Sequence, residues 1–470
     1  MRPYLCALAG LLLLAAGARA QTAIGPSPAT VPATDRIADL IRNLGSDEYK
    51  VRTSAQEQLL EAGPSARALL EKAAAGDDAE VRQRAAEILS QIAATEKESS
   101  AQAIRKNVLW TFPVNGGAAG PPVVAGGKVV FLGADRKLYA VDAANGKEAW
   151  GLGTFTIKVG ECDQPVISDG LVVITDRVDC LYAADLAKGE LLWRCDSWVG
   201  LGLPCLAGGA IWIGDGAAGL RMLDARTGKE KWKIDSRNFG TRPAVHGGAD
   251  GMLFVVDALD KAEGESDAPS DKRPAVSCLA AATGKRIWQY DPQSLCTCLI
   301  ARDDVVYLKA GAIVAALDVK TGRKLWQFDL PAIIGEEGFM VLADAAVYVT
   351  CYNKLFCLDA RSGQKNWSVE FDSLAPPEKN REAPREMMGL AADGRAVYVG
   401  RPDGLRALDF KTGKEAWFLR TANRLHVGPA VADGVVYFGT TRAENPAPPG
   451  GQPWPFDDPP GMHALKVSKQ

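Results

Sequence analysis

The chain has 470 residues, 24% of them charged, with 54 Lys and Arg against 57 Asp and Glu for a formal charge of −3. That balance supplies no global attraction to nucleic acid or to an anionic membrane surface, so no nucleic-acid partner is expected. The length suits two or three domains or one large repeat array, and ten cysteines in a chain this long fit an oxidising compartment without defining a small disulfide scaffold.

Residues 1–20 read as a secretory signal. Arg2 supplies the positive start, Leu5 to Ala16 the apolar stretch, and Ala18-Arg19-Ala20 the small-x-small cleavage pattern before Gln21. An apolar stretch of about a dozen residues is too short to span a bilayer, so cleavage rather than anchoring is expected. Cys6 lies at the start of that stretch rather than after it and is not placed like a lipid-attachment cysteine. With no later segment apolar enough to cross a membrane, the expected product is periplasmic or otherwise extracytoplasmic, with no transmembrane segment in the mature chain.

A Pro/Ala/Thr-rich linker fills residues 21–34. A first repeat follows: Asp47, Val51, Arg52, Ala55 and Leu59 recur 30 residues later as Asp77, Val81, Arg82, Ala85 and Leu89. Val, Ala and Leu at intervals of four share one helical face, and each Asp stands where a carboxylate can cap free backbone N–H groups. Ile37, Leu40, Ile41 and Leu44 form another stripe, Ala66, Leu69 and Leu70 a third, and Gly63-Pro64 and Gly76 break the chain between them. The spacing predicts four helices in two hairpins over residues 35–97. The D-x-x-x-V-R-x-x-A-x-x-x-L phrase resembles HEAT/armadillo-like repeats, which implies a helical scaffold for protein contact.

Residues 104–470 carry a second, longer repeat. Gly146, Gly189, Gly228, Gly284, Gly322, Gly363 and Gly413 are each followed four residues later by Trp150, Trp193, Trp232, Trp288, Trp326, Trp367 and Trp417. Asp142, Asp185, Asp224, Asp318, Asp359 and Asp409 stand four residues before six of the glycines, and Ala280 before the other. A period near 40 filled with short apolar runs and Gly/Asn/Asp turns predicts a propeller or solenoid. Second strands recur at Val129, Val172, Ile211, Leu253, Val306, Val347, Val397 and Val436, which makes eight units. The last unit ends at Met462-His463-Ala464-Leu465-Lys466 with no Gly turn and no Trp, whereas Asn107-Val108-Leu109-Trp110 is a fourth strand with nothing before it. Joining them completes blade eight. The expected fold is mainly β: an eight-bladed propeller closed by an N-terminal strand, with Trp110 and the seven repeat tryptophans wedged between blades.

Two segments, Leu138-Tyr139-Ala140-Val141-Asp142-Ala143-Ala144-Asn145-Gly146-Lys147-Glu148-Ala149-Trp150 and Leu317-Asp318-Val319-Lys320-Thr321-Gly322-Arg323-Lys324-Leu325-Trp326, resemble the PQQ-like propeller repeat. That repeat occurs in quinoprotein alcohol dehydrogenases and in BamB, the propeller lipoprotein of the outer-membrane β-barrel assembly machinery. The enzymes of this superfamily hold their quinone between a bridged pair of adjacent cysteines and a Trp, beside a Ca²⁺ bound by acidic and amide side chains, with an Asp as base. This chain has no adjacent cysteine pair. Cys296 and Cys298 come nearest; two apart on an innermost strand, they are expected on one face, without forming that clamp. Asp257, Asp260 and Glu263 fail the EF-hand spacing. His246, His426 and His463 are the only histidines and lack metal spacing. Glu161, Asp163 and Arg242 precede innermost strands and can give a polar channel rim, which is ordinary propeller architecture; His426 precedes one too and is read as a solvated or structural histidine. No nucleophile elbow or P-loop is present. No catalytic, cofactor-binding or metal residue is therefore expected, and PQQ and Ca²⁺ enter only under an alternative oxidoreductase reading.

Cys180 and Cys195 flank one turn. If Asp185 faces Glu190, counting outward sets the two opposite each other within reach of a disulfide, while a one-residue register difference separates them. Three segments exceed the basic period: Lys261 to Pro274, Asp372 to Glu386 and Thr441 to Gly461. In a four-stranded meander all three emerge on one face. With Arg381 and Arg385 in the second, and Trp454 and Phe456 in the third, that face is the expected contact surface for envelope proteins. The functional expectation is a non-catalytic envelope scaffold.

Overall fold

Short strands that are apolar at successive positions, such as Leu171–Thr175, carry apolar side chains on both faces, so the sheets must cover one another. In the computed structural model, which describes residues 33–153, 164–175, 180–196, 203–215, 219–234, 244–249, 251–258, 274–331, 338–372, 389–444 and 457–467, these runs form eight small antiparallel sheets. Seven are four-stranded meanders; blade one, for example, runs Val123–Ala125, Lys128–Leu132, Leu138–Asp142 and Glu148–Leu152. The eighth combines Ala430–Ala432, Val435–Glu444 and Gly461–Lys466 with the N-terminal strand Val108–Pro113, and Asn423–Leu425 pairs the far end of its long second strand. Trp110 lies opposite Ala464 and Thr111 opposite His463. Each innermost strand neighbours the next, and the innermost strand of blade eight neighbours that of blade one. The ring is closed, as the complementary half-blades predict.

The core lies between blades. Val130, Leu132, Ala140 and Trp150 of blade one pack on Val172, Ile174, Tyr182 and Leu186 of blade two, and the pattern repeats around the ring. The repeated Asp–Gly–Trp phrase is the device that docks them. The Asp side chain accepts backbone N–H groups of its own turn, as Asp318 does from Lys320 and Thr321. The hydroxyls of Thr321, Ser362 and Thr412 hold the Asp318, Asp359 and Asp409 carboxyls below their usual range. The glycine adopts a positive φ, 72° at Gly363, and the indole of the preceding blade lies against it, so a Cβ there would stand 2.5 Å from Trp326 Cε3. The indole N–H then donates to the carbonyl just after the next blade's Asp: Trp150 to Leu186 O at 2.9 Å, Trp193 to Ala225 O at 2.9 Å and Trp326 to Ala360 O at 3.0 Å.

A β-bulge precedes every repeat tryptophan. Ala183 pairs Trp193 while Ala184 pairs Leu191, which leaves Leu192 as the extra residue, and the same slip occurs before Trp150, Trp232, Trp288, Trp326, Trp367 and Trp417. The bulge overturns the expected Cys180–Cys195 disulfide. Asp185 does bond to Glu190, but the extra residue moves Cys195 opposite Leu181. Neither thiol is in a disulfide. Cys180 Sγ meets Asp196 Oδ1 at 3.0 Å, and Cys195 Sγ faces Gly228 O of the following blade.

Blade four departs from the pattern where Ala280 replaces Asp. Trp212, from the second strand of blade three, donates to Ala281 O at 3.3 Å, the carbonyl that Trp232 would otherwise use, and Trp232 Nε1 is buried without a partner. A buried unpaired donor costs about 1–3 kcal/mol, while an average hydrogen bond contributes about 1 kcal/mol. Trp232→Phe is therefore expected to leave the propeller's stability unchanged or raised, whereas Trp193→Phe lowers it by about 1 kcal/mol; denaturant midpoints of the two variants check the contrast.

The chain divides into two units, Met1–Glu96 and Lys97–Gln470. The first holds α1 (Ala33–Asn43), α2 (Tyr49–Ala62) and α3 (Arg67–Ala74); α4 (Ala79–Arg105) contains the boundary and continues beyond the expected end at residue 97. Ile37, Leu40, Leu44, Ala55, Leu59, Ala66, Leu70, Ala85, Ile88 and Ile92 form the core of the helical unit. The repeated Arg is structural: Arg52 Nη1 donates to Ser46 O and Arg82 Nη1 to Gly76 O, each closing the loop before its helix. Capping differs from the expected pattern. Asp78 rather than Asp77 accepts from Glu80 and Val81 N–H at 3.0 Å, and the N-cap of α2 is Glu48, whose side chain makes no capping bond. Among the described residues no helix is long and apolar enough to cross a membrane. The signal-like segment 1–20 and the linker up to residue 32 lie outside them.

Candidate functional site: the loop-bearing face

Antiparallel order places the roots of all three insertions on one face. The first extends from Met252–Ala258 to Pro274–Ala280, the second joins Lys365–Glu370 to Gly389–Ala392, and the third leaves Val435–Glu444 and returns at Gly461–Lys466. Buried polar side chains fix two of these roots. For the second, Asn353 Nδ2 donates to Phe371 O at 2.8 Å, and the fully buried Arg401 donates from Nη2 to Asp372 O at 2.7 Å while its guanidinium stands 5.2 Å from the Phe371 ring. Beside it Arg406 forks onto Asp403 at 2.9 and 2.7 Å and lies 3.7 Å over Phe418. Planar bidentate pairing of this kind fixes orientation as well as charge. For the third, Thr440 bonds the fully buried His463, which is linked through Thr111 to Asp458, and Asn423 Nδ2 donates to Asp458 O at 3.0 Å.

Nearer the axis, Leu203, Leu295 and Phe339 stand one or two residues before the innermost strands of blades three, five and six, and each is more than a third exposed. His426 precedes the innermost strand of blade eight and is exposed. Gln164 Nε2 donates to Pro122 O at 3.2 Å, tying the strand entries of blades one and two together. The sequence reading missed Lys309, Arg401 and Arg406. For Lys309 and Arg401 the available signal was a cation at or next to the end of an otherwise apolar second strand (Val305–Ala310, Ala396–Arg401).

Cys296 and Cys298, the nearest approach to a quinone clamp, do not fit it. Thr297 is a bulge residue: Cys296 pairs Ala310 and Cys298 pairs Lys309. The two side chains therefore leave opposite faces of blade five, Cys296 into the cluster shared with blade four and Cys298 toward blade six. This corrects the expectation that residues two apart share a face. Each thiol is engaged with a carbonyl, Cys296 Sγ with Cys298 O at 3.3 Å and Cys298 Sγ with Gly338 O at 3.0 Å. Burial pushes Cys296 up to about 12, far from a reactive thiolate. Lys309, opposite Cys298 in register, donates to Gly311 O at 3.2 Å. Among the described residues no group of three or more His, Cys, Asp or Glu is arranged to hold a metal ion. The remaining sequence-level candidates Glu161, Asp163, Arg242, Asp260, Glu263, Arg381, Arg385, Trp454 and Phe456, with the side chains of His246 and Asp257, lie outside the described residues.

Eight blades, with a Gly–Trp contact at seven of their eight seams, define a PQQ-type β-propeller of the quinoprotein alcohol dehydrogenase-like class. A family model described as outer membrane protein assembly factor BamB (PQQ_2) matches residues 92–156, 152–238, 216–380 and 355–457. The chain belongs to this PQQ_2 family. It is 32% identical over 126 residues to the 1-butanol dehydrogenase (cytochrome c) of Thauera butanivorans, covering 25% of this chain and 18% of that protein. It is also 32% identical over 120 residues to the quinohemoprotein alcohol dehydrogenase ADH-IIG of Pseudomonas putida, covering 23% and 16%. The chain thus spans less than a fifth of the length of these relatives. Among solved structures, the computationally designed Ika8 protein superposes with a TM-score of 0.58 at 15% identity, over 77% of this chain and 100% of that one. BamB from Moraxella catarrhalis superposes at 0.50 with 14% identity, over 71% and 96%. At these identities the structural likeness is one of fold.

Proposed function

We propose that this protein is a non-catalytic propeller scaffold of the cell envelope, exported through its N-terminal signal, which binds envelope proteins on its loop-bearing face and takes part in outer-membrane or envelope assembly. The observation that carries the reading is the match of the assembly-factor family across the whole propeller, joined to a blade-five cysteine pair whose thiols diverge and so offer a quinone no clamp. Rigid roots under long loops suit a surface that presents contacts. The helical unit, read as HEAT-like, adds a second contact surface. No cofactor is assigned to the scaffold.

The competing reading, a divergent PQQ-dependent oxidoreductase, draws on the segmental identity to alcohol dehydrogenases. Two measurements separate the readings. Replacing residues 373–388 or 445–456 by short turns is expected to deplete the envelope proteins that co-purify with the full chain, while the melting midpoint stays within a few degrees; an unchanged partner set defeats the scaffold. Purified protein titrated with PQQ and Ca²⁺ is expected to show no saturable binding. Saturable binding with alcohol-dependent dye reduction establishes the enzyme instead.

A further inference from the structure

The seam that closes the ring contains the one fully buried histidine of the described residues, and the hydrogen bonds that tie it to Thr440, Thr111 and Asp458 run in a single direction. Thr111, on the N-terminal strand, places Oγ1 2.6 Å from Asp458 Oδ2. A carboxylate only accepts, so the Thr111 proton is spent there. Thr111 Oγ1 is therefore the acceptor toward His463 Nδ1 at 3.1 Å, which puts the ring proton on Nδ1. Nε2 is then bare and accepts from Thr440 Oγ1 at 2.8 Å. Gly461 N–H donates to that same Thr440 oxygen at 3.4 Å, leaving the hydroxyl proton for the imidazole. Arg105 Nη2 completes the chain on Asp458 Oδ1 at 3.2 Å.

The three elements around the ring each supply one member. Thr111 comes from Val108–Pro113, Thr440 from Val435–Glu444, and Asp458 from the segment leading into Gly461–Lys466. Phe438 stacks on the imidazole with centroids 5.0 Å apart. The described charged groups that face it are Asp458 and, through Asp458, Arg105.

We infer that this directed chain, Thr440 to His463 to Thr111 to Asp458, is a pH-sensitive latch on ring closure, which holds the first strand of the propeller to its last while the imidazole is neutral and releases it when the imidazole takes a proton. A proton on Nε2 sets donor against donor at Thr440. To accept instead, the Thr440 hydroxyl must turn away and lose its partner in a buried site. Burial accordingly drives the His463 ring down to about 3. Once the seam opens, the ring meets water and regains an ordinary value of about 6.5. The open state therefore binds a proton that the closed state refuses, and closure weakens as pH falls through 6.5 toward 3 and is at full strength above it. Between pH 7.5 and 5 the seam-opening equilibrium is expected to rise about 30-fold, the ratio set by a shift from about 6.5 to about 3.

Two measurements on the full chain test the latch. Amide hydrogen exchange, corrected for the intrinsic pH dependence, should show residues 108–113 losing protection by about that factor between pH 7.5 and 5, with the strands of blades five to seven unaffected; His463→Gln should flatten the response. Histidine-selective ¹⁵N spectra of the unmutated protein, simplified by having only three histidines, should show one Nδ1–H imidazole that does not titrate before the seam opens. A seam whose exchange is flat with pH, a response that survives in His463→Gln, an Nε2–H tautomer, or a His463 that titrates near 6.5 in the closed ring overturns the inference. If His463→Gln does not fold, the spectra and the exchange of the unmutated chain decide alone.

Discussion

Trp326→Ala is expected to cost the propeller about 3–5 kcal/mol, the range for removing a large core aromatic, and its partner glycine should reveal why. Gly363→Ala carries two separable costs. At φ 72° a Cβ is unfavourable by about 1–2 kcal/mol whatever surrounds it. In addition the new methyl would stand 2.5 Å from Trp326 Cε3, so the indole must move, and its hydrogen bond to Ala360 O stretches with it. Built into Trp326→Ala, the same substitution keeps only the first cost, because the obstacle is gone. The double variant should therefore be more stable than the sum of the single losses predicts, by about 1–3 kcal/mol, the scale of coupling between residues in contact. Chemical denaturation of the four proteins of the cycle measures it. Strict additivity would mean that the blade seam does not rest on this pair.

That pair shows why the fold was legible in the sequence. A propeller seam needs one large flat side chain and one bare backbone position facing it, and both must recur once per blade. The spacing Asp–Gly–Trp records them four residues apart, on a turn and the strand that follows it, although each Trp serves the glycine of the following blade rather than its own. Closure was legible for a related reason, since a blade lacking its fourth strand and a fourth strand lacking its blade stand at opposite ends of the chain.

What the sequence hid falls into two physical kinds. Bulges are invisible to counting, because an extra residue changes register without changing composition. Leu192 removes Cys195 from Cys180, and Thr297 sends Cys296 and Cys298 to opposite faces, so both cysteine expectations failed at the step where alternation was assumed. Buried polar groups are invisible because their partners are remote: His463 meets Thr111 across 352 residues, and Arg401 reaches Asp372 across 29. A lone His or Arg in a strand looks the same whether it faces solvent or anchors a loop. The candidate site was therefore legible as a face, through the meander's parity and the long loops, but not as the side chains that hold it.

Starting the chain at Val114 should abolish the cooperative unfolding transition of the propeller. The deleted strand contributes Trp110, whose indole lies on Gly146 and donates to Ala143 O at 3.0 Å, and Phe112, which packs on Phe131 and Tyr139 with centroids 6.1 and 5.3 Å away. Losing two aromatic side chains at about 3–5 kcal/mol each consumes most of the 5–15 kcal/mol by which a domain is stable. The deletion also bares the edge of Gly461–Lys466, a row of unpaired backbone groups that invites pairing with another chain. Aggregation of the truncated protein is thus part of the expected result. Because the lost element is a strand added to a sheet edge, it should be replaceable in trans: a peptide of residues 104–113, which also carries the buried Ile104 of the blade-seven and blade-eight cluster, should restore a single melting transition, and the same peptide with Trp110→Ala should not. An unchanged melt of the chain starting at Val114, with no response to peptide, would show that the ring stands without its seam.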